Sequence, residues 1–144
     1  VALIFETKVA LFDALKAHAP AGTQVTFAEN PEGVRKRQLW LGATMDDDLQ
    51  PVAMRDGPRK PTNVTGYIDV SARSVSPAGA LAAERSVNEL REAITSACAA
   101  LDRTSVPGLM DVRPESAAVE TLETTDGAHS ALVVRVRVRG RVTQ

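Results

Sequence analysis

Four arginines stand at alternate positions near the end of this 144-residue chain: Arg135, Arg137, Arg139 and Arg141. Alternate residues of a strand share a face, so the four guanidiniums project together along about 20 Å. Side by side they repel one another, and acidic groups are expected opposite them. Glu123 and Asp126 fall in the partner strand and turn, too few to neutralise four charges. Asp69 and Arg73, on the polar face of another strand, extend the pattern. Three readings stay open: a solvated face laced with cross-strand ion pairs, a subunit interface meeting the acids of another copy, or a surface facing nucleic acid.

Other candidates for chemistry are sparse. His18 and His129 lie outside any HExxH-type spacing, so no metal site is expected on them. Cys98 continues an apolar helical stripe and reads as a packed, inert thiol. Asp46, Asp47 and Asp48 lack the alternating ligands and downstream Glu of a calcium loop. Neither GxGxxG nor GxxxxGK followed by Ser or Thr occurs, which removes the familiar phosphate cradles. Glu84 and Glu92, eight residues apart on a helix, stand about 12 Å from each other, too far to cooperate directly. No catalytic group, metal or cofactor is expected, and the chain reads as a non-enzyme.

The elements that must position these residues follow from periodicity. Residues 2–18 carry Leu3, Ile4, Ala10, Leu11 and Leu15 near the 3.6-residue repeat, the mark of an amphipathic helix closed by Pro20 and Gly22. Short strands are expected at Gln24–Ala28 and Gln38–Ala43. A longer one spans 64–75, with Val64, Gly66, Ile68, Val70 and Ala72 on one side. Ser76 as N-cap and Pro77 at the first helical position open a second helix over 77–101. Strands at Ser116–Thr124 and Ser130–Val142, joined at Asp126-Gly127, close the chain as a hairpin.

Thr44–Asn63 shows no periodicity and reads as a long loop, acidic at Asp46–Asp48 and basic at Arg55, Arg59 and Lys60. That asymmetry suits contacts with a neighbouring molecule, so these six residues join the arginine strand as candidate interface. The predicted fold is α+β, a mostly antiparallel sheet of about five strands with two helices on one face. Its order is helix, three strands, helix, two strands.

Composition agrees with one domain over 1–144 that needs neither metal nor disulfide to fold. Lys and Arg number 17 against 18 Asp and Glu, a net charge of -1, which argues against a protein whose main task is to grip DNA phosphates. Aromatic residues make up 3%, so the core must be aliphatic and a base-stacking platform is not expected. No apolar run is long enough to span a membrane. The opening VALIFETKVALF is too short and too early acidic for a signal peptide, and the single cysteine fits a reducing cytosol or something assembled there.

The order of elements resembles the tail terminator (tail completion) proteins of long-tailed bacteriophages. The resemblance rests on the leading amphipathic helix, the strands around QVTFA and QLWLGA, and the long loop. It continues through YIDVSARSV running into AGALAAERSVNELREAITSACAAL and the closing hairpin AAVETLETTDGAHSALVVRVRVRGRV. It implies a homo-oligomeric ring, usually of six copies, that caps the head-proximal end of the tail tube and ends its polymerisation. It also implies a docking surface for the head connector, genomic DNA passing through the channel without specific binding, and a place in the tail–neck region of a virion assembled in the host cytoplasm. The neighbouring expectations are another neck, head–tail connector or minor tail protein, and a nucleic-acid-binding module reading through Arg135–Arg141.

Overall fold

The computed structural model describes residues 3–30, 36–51, 61–125 and 127–143. Helix α1 (Leu3–His18) leads into strands β1 (Thr23–Thr26), β2 (Arg37–Pro51) and β3 (Pro61–Ser76). Helix α2 (Ala80–Ala100) and a short 3-10 turn (Arg103–Ser105) follow, then strands β4 (Leu109–Thr124) and β5 (Gly127–Thr143). The five strands form one sheet in the order β1-β2-β3-β5-β4. Three of the four pairings are antiparallel, while β1 runs parallel to β2 over four residue pairs, so the sheet is mixed.

Period-two alternation in β3 and β5 builds the core. Val64, Ile68, Val70 and Ala72 from β3 and Leu132, Val134, Val136 and Val138 from β5 are buried on one face. Leu11 and Leu15 of α1 and Val87, Leu90, Ile94 and Ala97 of α2 cover that face, completing one aliphatic cluster with Leu39 and Leu41 of β2. No aromatic ring is fully buried among the described residues: Phe12 and Phe27 pack at the rim of the cluster, edge to face at 5.6 Å. Two of the buried side-chain hydroxyls are hydrogen-bonded within the fold. Thr7 donates to the Leu3 carbonyl at 2.7 Å, and the Thr121 and Ser130 hydroxyls meet at 3.0 Å.

Three expectations need correction. The loop expected over 44–63 is largely strand. β2 continues to Pro51 and β3 starts at Pro61, with Thr44 paired to Ile68, Met45 to Tyr67, Asp46 to Gly66 and Asp47 to Thr65. Register shifts between Leu41 and Thr44 and between Asp47 and Gln50 interrupt the alternation that would have revealed a strand. Helix α2 is capped by Gly79 (φ 113°), not by Ser76. Ser76 is the last residue of β3, paired with Ala128, so its backbone belongs to the sheet, and its hydroxyl accepts from the Ala78 amide at 3.2 Å. Strand β4 starts seven residues earlier than expected, at Leu109, because an irregularity between Pro114 and Ser116 again breaks the period.

Two glycines let α1 lie against the sheet. A Cβ on Gly66 would stand 2.5 Å from Cδ1 of Ile4 and 2.7 Å from the Met45 carbonyl oxygen. One on Gly140 would run into the Leu3 side chain and stand 2.7 Å from the Gly108 carbonyl oxygen. The first turn of α1 therefore rests directly on the backbones of β3 and β5. We expect Gly140→Ala to cost about 1–3 kcal/mol through overpacking. In urea unfolding this appears as a lower midpoint with an unchanged slope. An unaltered midpoint would show that α1 does not sit where described.

Candidate functional site

With both helices on one side, no described helix covers the opposite face of the sheet, and the arginine strand runs through it. The alternation that buries Val134, Val136 and Val138 sends Arg135, Arg137, Arg139 and Arg141 outward. Their surroundings differ. Arg135 is paired: its Nε lies 3.4 Å from Oδ1 of Asp69 on β3, and its guanidinium stands over the Tyr67 ring at 5.4 Å. Arg137 is flanked in register by Tyr67 and by Arg113 of β4, and its Nε is buried without a hydrogen-bond partner. Arg139 lies between Thr65 and Asp111. The Asp111 carboxylate is engaged elsewhere, 2.8 Å from Arg113 Nε and 3.7 Å from an Arg103 guanidinium nitrogen. Arg141 donates through Nε to Asn63 Oδ1 at 3.4 Å.

Only the first arginine of the comb is thus neutralised by a carboxylate among the described residues. The other end opens into a cleft of about 200 Å³ lined by Asn63, Val64, Thr65, Met110, Arg139, Gly140 and Arg141. Two guanidiniums, an amide and a hydroxyl at one place make a site for an oxyanion, because an arginine fork grips carboxylate or phosphate oxygens bidentately. At the far end of the face Arg73 stacks over the Trp40 ring at 5.4 Å and donates to Gln38 Oε1 at 2.5 Å.

The acids expected opposite the comb are distributed otherwise. Asp69 takes the expected part. Glu123 pairs in register with Ala128, far down β5 from Arg135, and Asp126 lies outside the described residues. Asp46 and Asp47 stand on β2 in register with Gly66 and Thr65, and Asp48 falls within the register shift that follows. Arg55, Arg59 and Lys60 lie outside the described residues. Asp111, Arg113 and Asn63 carry no signal in the sequence because the first part of β4 and the start of β3 have no clean alternation, and Arg103 sits in the 3-10 turn before β4.

The residues considered for chemistry are dispersed. Among the described residues no group of three or more His, Cys, Asp or Glu could hold a metal ion. His18 ends α1, while His129 is exposed on β5. Glu84, exposed on α2, accepts from the Thr121 hydroxyl at 3.4 Å. Asp102 caps the 3-10 turn, where the Thr104 hydroxyl and amide hold its carboxyl below the ordinary range. None of the described helices is long and apolar enough to cross a membrane.

Cys98 is buried on α2, and burial pushes its thiol from an ordinary 9.0 up to about 12. Between those values the unfolded chain has lost a proton that the native chain keeps, so stability falls as pH rises through that window and is intact below it. We expect a steeper loss of stability from pH 9 to 12 in the native sequence than in Cys98→Ala. We also expect Cys98 to resist iodoacetamide at pH 8 until the chain is unfolded. Rapid alkylation of the folded protein would contradict this placement.

No protein family model matches the chain, and no curated protein matches it. Among solved structures it is similar to a chain in the virion of a native gene transfer agent (GTA) particle, with a TM-score of 0.52 and 19% sequence identity. The match covers 96% of this chain and 98% of that one. At this identity the likeness is one of fold, and it extends over nearly the whole of both chains.

Proposed function

We propose that this chain is a structural component of a phage-like virion, and within it a tail terminator. Copies would form a ring on the head-proximal end of the tail tube, stop its polymerisation and present the surface to which the head connector docks. The observation that carries this reading is the end-to-end fold likeness to a chain of a gene transfer agent virion. The order of elements over the whole chain, which resembles tail terminators, supports the finer role.

The architecture suits such work. A sheet with helices on one face only leaves its other face for another molecule, and a closed ring needs two different surfaces on each subunit. Function then consists of surface complementarity without a chemical step, with genomic DNA passing through the ring and no cofactor involved. The tube protein and the head connector are the remaining partners, and assembly takes place in the host cytoplasm. Another neck or connector protein is the neighbouring reading. It shares the virion location and differs in which end of which partner is bound.

Mass in solution, measured by light scattering across protein concentration at two salt concentrations, tests the ring. We expect a closed species near six times 15.3 kDa, either free or formed on tube ends. Added to growing tubes, the chain should arrest elongation and appear at one end only. Tubes that keep growing with bare ends would overturn the capping role.

A further inference from the structure

Arginine is gathered on one side of the sheet. Register puts Arg73 of β3, Arg113 of β4 and Arg135, Arg137, Arg139 and Arg141 of β5 on the face away from the helices. Among the described side chains, the acids in register on that face are Asp69, Asp111 and Glu120. The whole chain carries a net charge of -1, so the positive excess belongs to this face and not to the molecule at large.

The cores of protein–protein interfaces are depleted of charge, whereas surfaces that hold nucleic acid are strongly positive. Spacing points the same way. Alternate residues of a strand stand about 6.7 Å apart, close to the separation of neighbouring phosphates along one nucleic-acid strand. Arg137, Arg139 and Arg141 form such a row, and none has a carboxylate partner among the described residues. Asn63 and Thr65 stand beside the last two in the cleft and add an amide and a hydroxyl. Arg113 lies directly opposite Arg137, an arrangement that repels until an anion joins it. Asp111 does not fill that part, being engaged by Arg113 and Arg103.

The same face distinguishes a duplex from a single strand. Its two rings are both covered by guanidiniums, Trp40 by Arg73 and Tyr67 by Arg135, each at 5.4 Å. Unpaired bases need open rings to stack on, and covered rings offer none. A duplex keeps its bases inside and presents its phosphates, which take guanidinium forks bidentately.

We infer that the row Arg137, Arg139 and Arg141, with Arg113 beside it, is a contact surface for the phosphate backbone of double-stranded DNA, held without regard to sequence. Arg135 stays outside the row because Asp69 neutralises it. The inference goes beyond the capping role and does not depend on it. About three phosphates per copy give a weak, salt-sensitive grip along which a duplex can slide.

Fluorescence anisotropy of a short labelled duplex, titrated with the full chain between about 50 and 200 mM salt, tests it. With three phosphates neutralised, log K should fall against log salt with a slope of about -2.7. Arg139→Gln with Arg141→Gln should make the slope shallower by about 1.8 and weaken binding at the lowest salt at least about tenfold. Arg139→Lys with Arg141→Lys keeps the charge and should keep the slope. Arg85→Gln with Arg91→Gln, exposed on α2, should change neither slope nor affinity. Two duplexes of unrelated sequence should bind alike, and circular dichroism establishes that every variant is folded.

No duplex binding at the lowest salt would overturn the inference and leave the capping role standing. A slope that the Arg139/Arg141 pair leaves unchanged, or that the α2 pair lowers as much, would overturn it too. If the glutamine pair abolished self-association or capping with duplex binding intact, the row would be a protein contact and the inference would fall. Duplex binding through these arginines by a chain that fails to cap tubes would sustain the inference and overturn the capping role.

Discussion

Everything in this protein depends on the register of β3 against β5. The two strands pair without a shift from Pro61 opposite Thr143 to Ser76 opposite Ala128. A slip of one residue would exchange the faces of a strand. In β5 that exchange would turn four arginines toward the helices and four aliphatic side chains toward solvent. Burying charges without partners costs several kcal/mol each, so the alternative register is closed by a wide margin. The alternation therefore does two things at once. It builds the aliphatic core, and it forces the guanidiniums onto the face that the helices leave open.

The helices then decide how much of that arrangement is shielded. α1 makes its closest approach at Gly66 and Gly140, where the strands have no side chains to hold it away. α2 presents Val87, Leu90, Ile94 and Ala97 to the middle of the sheet, and its small residues keep the layers close. With the helical layer on one side, the opposite face is a mosaic of stacked and unpaired arginines. Arg73 and Arg135 lie on aromatic rings and have polar partners, while Arg137, Arg139 and Arg141 have no carboxylate partner among the described residues. The arginines without a carboxylate partner among the described residues thus gather toward one end of the face.

The helical layer and the arginine-bearing face divide the sheet between packing and charge. Burial also keeps the lone thiol on α2 protonated and away from reactants.

Much of this was legible in the sequence because the strongest signals are local. The helical stripe from Leu3 to Leu15, the alternation of 64–75 and 130–142, and the two faces of β5 follow from side-chain periodicity alone. What periodicity could not supply was decided by pairing between distant segments. Residues 44–51 look like loop because bulges break their alternation, yet β3 offers them a backbone ladder and they take it. Ser76 looks like a helix cap, yet its pairing with Ala128 holds it in the sheet and moves the helix start to Gly79. The meeting of Arg139 with Asp111, Asn63 and Thr65 depends on strand order and register. Hydrogen bonds between strands carry no sequence letter of their own, so the residues that share a row are settled only when the sheet forms.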